Sequence, residues 1–315
     1  MPRMTEPGAA NMTAGSQYLE TEVERQDLGQ VTEPAPVELP VEGVPRGGGV
    51  ELDAELGALA KLPGTWIGNG FNLIARPDKQ GGLPFFLELD ATKETLAFTP
   101  ISGPIPNRGS EQDDISFLGL TYLQRVNDAF TNGDLHIEPG IWLSIPATTA
   151  PQSEASVVRL ATVPHGNSLL AQGKGFTVQG GPQIKPVSST PTRVDGKPIA
   201  ELGYLDPFHN ATLPQGIPQG AVANPNLVLT EAIKDQDITE TVVLIISTQP
   251  SGGVETIPFL VENANAISMN AIFRIETVQL PTAGTLVQLQ YTQTVVLQFE
   301  EINWPHISVG TLLKF

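Results

Sequence analysis

The chain has 315 residues, 17 basic and 34 acidic side chains, a net charge of −17 and no cysteine. The length allows a full-sized core. The charge and the lack of a basic run exclude binding to a polyanion such as nucleic acid, and the missing cysteines exclude disulfides, thiolate nucleophiles, Fe–S clusters and cysteine-based zinc sites. No apolar run approaches a membrane span, and no basic start with an apolar core opens the chain, so the expectation is a cytoplasmic protein without a membrane contact.

Residues 1–50 read as an acidic, Pro/Gly-rich tail, punctuated by Pro34-Ala35-Pro36 and Gly47-Gly48-Gly49. The expectation is a solvated, disordered extension, with an arm that clasps a second copy into a homo-oligomer as the sharper alternative. Residues 51–315 read as one β-barrel domain. In Glu51–Leu62, Leu52, Leu56, Leu59 and Leu62 recur at helical spacing, and Pro63-Gly64 ends the pattern, which predicts a short capping helix. The strand that follows, Thr65–Ile74, places Trp66, Gly68 and Gly70 on one face; glycines inside a strand mark a bend or a close approach by another group.

Further strands are predicted at Leu83–Asp90, Glu94–Thr99, Ile115–Asn127, Gly133–Ser144, Ser156–Val163 and Leu169–Gln172, most of them joined by turn-like links. Residues 174–285 read as an insertion whose first part is proline-rich, with strands resuming at Thr239–Thr248, Val254–Val261 and Ile267–Val278. The strand at Leu286–Phe299 alternates well, and so does the closing one. From His306 onward, Ile307, Val309, Thr311 and Leu313 share one face, and His306, Ser308, Gly310 and Leu312 the other. Short Val/Ile/Thr-rich runs in regular succession predict an all-β fold: a single antiparallel up-and-down barrel.

The closing strand carries the sharpest chemical signal. If its second face lines a barrel, an imidazole points inward beside two small residues, which suits a flat cofactor held by one nitrogen. The plain alternative is a hydrogen-bonded histidine at a strand start. Arg76, Arg108 and Arg159 read as solvated charges, Trp66, Trp142 and Trp304 as core or pocket-wall aromatics, and His209 as an exposed residue of the insertion. His136 and Glu138 share a strand face, which is half a metal site at best, and Glu138 reads better as a hydrogen-bond partner of a neighbouring strand. No Gly-x-Ser-x-Gly elbow or phosphate-cradling loop occurs.

Several segments in order resemble the nitrobindin family of heme-binding, calycin-like barrels. They are Leu56, Leu59, Gly64-Thr65-Trp66 with Gly68 and Gly70; Leu135-His136 with Glu138 and Gly140; Val157–Gly166; and His306-Ile307-Ser308 near the end. Two departures stand out: Asn72-Leu73-Ile74 replaces the Tyr-Pro-Thr that commonly follows the glycines, and the insertion has no counterpart. The resemblance implies heme b, with His306 as the iron ligand and Trp66, Gly68, Gly70, His136, Trp304 and Ser308 around the cofactor. It makes His165 and Arg76 the candidates for chemistry across the ring. The implied activity is on small oxidants or nitrogen oxides: NO binding, peroxynitrite isomerisation or a peroxidase-like reaction. The rival expectation is a non-catalytic carrier of a fatty acid or another apolar organic molecule in the same kind of barrel.

Overall fold

The computed structural model describes residues 56–197, 199 and 203–315. The predicted tail, its oligomerising role and the first part of the capping helix lie outside these residues. The first described element is a single 3-10 turn, Gly57–Leu59, in place of a full helical turn of the predicted cap. It still presents the leucines that the periodicity singled out: Leu56, Leu59 and Leu62 are almost fully buried with Trp66.

Ten strands then close into an antiparallel barrel. They are β1 (Gly64–Asp78), β2 (Leu83–Pro100), β3 (Ile115–Asp128), β4 (Asp134–Ile145), β5 (Ser156–Val163), β6 (Asn167–Gln179), β7 (Asp237–Thr256), β8 (Asn265–Gln279), β9 (Thr285–Phe299) and β10 (Ile302–Lys314). Each pairs with its predecessor, and β10 pairs with β1, so no long edge is left unpaired. Three short α-helices occur among the described residues: α1 (Asp206–His209), α2 (Leu227–Ile233) and α3 (Pro258–Asn263).

Three boundaries differ from expectation. The two strands expected between Leu83 and Thr99 are one, β2, because Ala91-Thr92-Lys93 contains no turn former and the alternation runs through it. The strands expected at Thr239–Thr248 and Val254–Val261 belong to one long β7 whose pairing with β6 is interrupted between Ser247 and Gly252, and Pro258 then starts α3. The insertion is shorter than 174–285, because Lys174–Gln179 extends β6, while β7 and β8 are barrel walls. The extra segment lies within residues 180–236; prolines keep most of it out of the sheet, and Thr192-Arg193 joins it by pairing with Asn303 and Ile302 at the start of β10.

That segment covers the outside of the barrel. Ala221, Val222 and Leu229 pack on Phe71, Leu73, Ile307 and Val309, the branched outer faces of β1 and β10. Beside them the contact is polar. Gln290 Nε2 donates to Leu229 O at 3.0 Å, and Thr292 Oγ1 donates to Asn226 Oδ1 at 2.7 Å. Gln288 Nε2 donates to Gln236 Oε1 and to Glu276 Oε2, both at 2.6 Å.

Glu276 is fully buried there, and its Oε1 has no hydrogen-bond partner among the described residues. Burial pushes its pKa up to about 7, against the weaker opposing pulls of Gln288 and Arg274. The unfolded chain releases this proton near the ordinary value of 4.5, while the native protein keeps it until about 7. Stability therefore falls as pH rises through that window, and the penalty is complete above it. Glu276→Gln is expected to leave stability at pH 4 unchanged and to raise it at pH 8 by roughly 1–3 kcal/mol in urea denaturation.

Candidate functional site

Strand register fixes which side chains face the barrel interior. Pairing of Gly68 with Leu312, Gly70 with Gly310 and Asn72 with Ser308 puts these on one face, and the pairs Asn72–Asp90, Gln124–Glu138, Trp142–Arg159 and Gln293–Ser308 extend it around the wall. Along this face exposure changes with height. Asn72, Ile74, Asp90, His136, Gln293, Val295, His306 and Ser308, towards one end, each keep part of their surface accessible. Glu94, Tyr122, Glu138, Arg159 and Tyr291, one level deeper, are buried. The barrel thus has a cup at one end, standing on a floor of buried polar groups.

His306 lies in the cup wall. Its Nε2 donates to Asn72 Oδ1 at 2.8 Å, Ser308 Oγ donates to the same oxygen at 2.9 Å, and Asn72 Nδ2 donates to Asp90 Oδ2 at 3.1 Å. Since Asn72 uses its oxygen to accept and its amide nitrogen to donate, Nε2 carries the imidazole proton and the other ring nitrogen keeps its lone pair. Burial pushes the His306 pKa down to about 3, with His136 and His165 adding to the effect. The ring is neutral at any ordinary pH, the electronic state in which histidine binds a metal.

The floor is built on a buried ion pair. Burial alone would raise Glu138, but Arg159 beside it, with His136 and Tyr122 assisting, holds its pKa down to about 2. Arg159 spends its donors on Glu138, on Tyr122 Oη at 2.9 Å and on Gln293 Oε1 at 2.7 Å, while Tyr122 donates to Glu138. The bond to Gln293 crosses the lumen from β5 to β9. Next to it Glu94 accepts from Tyr291 at 2.7 Å and from Thr92 at 2.8 Å, and burial raises its pKa. The reading of Arg159 as a solvated charge is thereby corrected: its inward parity on β5 places it in the lumen, where a carboxylate on the adjacent strand β4 neutralises it. Glu138 bonds a neighbouring strand as expected.

The predicted site residues are distributed unevenly. His306, Ser308 and His136 share the cup. His165 sits above it in the β5–β6 turn, exposed, its ring 6.3 Å from that of His136; a cleft of about 260 Å³ opens between the two. Arg76 lies at the rim, donating to Glu88 at 2.6 Å and stacked over Phe86. Arg108 is an exposed partner of Asp114, far down the chain from the cup, and His209 is exposed in α1. Trp304 is packed against Phe85 and Phe299 and donates its indole proton to Phe299 O.

Trp66 lies at the other end of the barrel. It pairs with Lys314, while Leu73, seven residues on, pairs with Ile307, so about 23 Å of strand separates Trp66 from the level of His306. Its indole donates to Leu62 O and closes the base of the barrel. The glycines also serve the wall itself. A Cβ on Gly68 would strike the backbone of β10, one on Gly70 would come within 2.6 Å of Glu94 Oε1, and one on Gly310 within 2.6 Å of the Tyr291 ring. The room beside His306 that small residues offered is filled at Gly310 by Tyr291 and Glu94. Asp90 and Gln293 were not singled out in the sequence, and Asn72 only as part of a departure from the family pattern; the strict alternation that put Gly68, Gly70 and Asn72 on one face was the available signal for the last of these.

No protein-family profile matches the chain, and no curated protein matches it. Among solved structures, that of Rv2717c from M. tuberculosis is similar at 13% sequence identity and a TM-score of 0.42, over 83% of this chain and 97% of the other.

Proposed function

We propose that the cup binds heme b, that His306 would hold its iron, and that the protein works on nitric oxide, peroxides or peroxynitrite. The observation that carries this reading is the state of His306: a neutral imidazole, one nitrogen anchored through Asn72 to Asp90 and the other with a free lone pair. Anchoring of this kind fixes ring orientation and tautomer in metal-binding histidines. The donor chemistry therefore fits the group. Ile74 and Val295 supply apolar wall next to His306, and the open end of the barrel gives access. Bound ferric heme would supply an electrophilic iron for small oxidants and nitrogen oxides. A fatty-acid carrier is less well served, since the lumen beneath the cup is crossed by Arg159, Glu138 and Gln293, a poor lining for an acyl chain.

Titration of the purified protein with hemin is expected to give a Soret band that saturates at one heme per chain. His306→Ala is expected to abolish the wild-type band, and Asn72→Ala to weaken binding by about 10–100-fold through loss of the anchor. A wild-type spectrum that stays that of free hemin, or a His306→Ala spectrum identical to wild type, overturns the proposal.

A further inference from the structure

His136 stands on β4, four strands round the ten-strand barrel from His306 on β10, and so faces it across the cup. Its Nε2 lies 3.2 Å from Glu138 Oε2. While ionised, Glu138 can only accept, and it is kept ionised and fixed in place by Arg159 and Tyr122, both buried and both bonded to its other oxygen. The carboxylate therefore demands a proton on Nε2 of the facing imidazole. In the neutral imidazole, that leaves the second ring nitrogen of His136 without a proton and able to accept one. His136 keeps 23% of its side-chain surface and opens onto the cleft it shares with His165, whereas Glu138 and Arg159 keep 0% and 1%. One reachable base is thus backed by two sealed groups. Arg159 is further tied to Gln293 on the opposite wall, which fixes the whole arrangement relative to the strand that neighbours β10.

We propose that His136 is the proton acceptor of the cup, taking a proton from a small weak acid as that acid binds, and that Glu138 and Arg159 are its positioning residues. The inference rests on the heme reading above for the identity of the electrophile, and on the strand geometry alone for the identity of the base. The acids suited to it are small and uncharged, with one labile hydrogen, such as hydrogen peroxide, alkyl hydroperoxides or hydrogen cyanide. With hydrogen cyanide, the H–C bond breaks, the proton passes to the free nitrogen of His136, and the electron pair stays on carbon as cyanide, the anion that a ferric iron held by His306 would bind. No other reactant is needed.

The first measurement uses the protein without heme. Nitrogen-15 NMR of the histidine rings is expected to show His136 as one tautomer, protonated at Nε2. In Glu138→Gln, the amide oxygen is drawn to Arg159 and the amide NH₂ turns to the imidazole, so the proton is expected to move to Nδ1. A wild-type ring protonated at Nδ1, or a tautomer that does not respond to Glu138→Gln, overturns the assignment. The second uses the heme-loaded protein in stopped flow. His136→Gln and Glu138→Gln are each expected to slow hydrogen cyanide association about 100-fold. Nitric oxide, which has no proton to lose, is expected to be slowed far less than hydrogen cyanide in both. Equal slowing of the two ligands would show a merely structural role, and an unchanged cyanide rate would remove His136 as the base. If wild-type protein takes up no heme, the heme reading fails by itself, and the tautomer measurement still decides His136.

Discussion

Arg159→Met is expected to lower the free energy of unfolding by about 3–5 kcal/mol, measured in urea at pH 7–8. The methionine roughly fills the volume, so the loss is electrostatic. Glu138 remains at 0% exposure without its cation, Tyr122 loses the donor to its oxygen, and Gln293 loses its partner across the lumen. In the native protein Glu138 is ionised down to about pH 2 because Arg159 outweighs burial. Without Arg159, burial is opposed only by the weaker pulls of His136 and Tyr122, and the folded-state pKa rises. The destabilisation is then expected to grow as pH rises through the carboxylate range, since the unfolded chain ionises Glu138 freely and the folded one resists. Removing the charge as well, in Glu138→Gln/Arg159→Met, is expected to restore part of the loss, because an uncompensated buried charge costs more than a buried amide. A single mutant as stable as wild type at pH 8 would show that water reaches the floor of the cup.

Trp66→Ala is expected to cost about 3–5 kcal/mol, by loss of transfer free energy and creation of a cavity at the base of the barrel. Trp66 is fully buried against Leu56, Leu59, Leu62 and Leu96, and its indole satisfies the carbonyl of Leu62, so the change also leaves a buried acceptor unpaired. The cup should be spared. With about 23 Å of strand between Trp66 and the level of His306, hemin affinity and the His136 tautomer are expected to stay within twofold of wild type wherever the mutant is folded. A selective loss of hemin binding at full folding would place Trp66 beside the ligand and contradict the register.

How much of this was legible depends on which force sets each feature. Alternation along β9 and β10 gave the inward set, because in a strand the side of each residue is fixed by parity alone; Ile307 and Val309 duly pack against covering structure while His306 and Ser308 face the lumen. The same parity places Arg159 inside, yet a lone arginine between Val158 and Leu160 is usually a surface charge. The reading changes only when Glu138, 21 positions earlier, is known to face it. Trp66 and Trp304 were grouped as neighbours of one cofactor, and they prove to lie at different heights, since two residues on antiparallel partner strands share a level only if the register says so.

By itself the sequence determined the all-β class, the meander order of the strands, the leucine cap and the face that His306 shares with Ser308. These follow from local turn chemistry and a two-residue period, which neighbours along the chain suffice to express. The register in which β10 closes on β1, the extent of the 180–236 strap and the joining of Arg159, Glu138 and His136 under one cup were decided only by the tertiary structure. Each depends on stagger between strands distant in the chain, and on burial that turns a charge into a paired floor, neither of which a linear pattern carries.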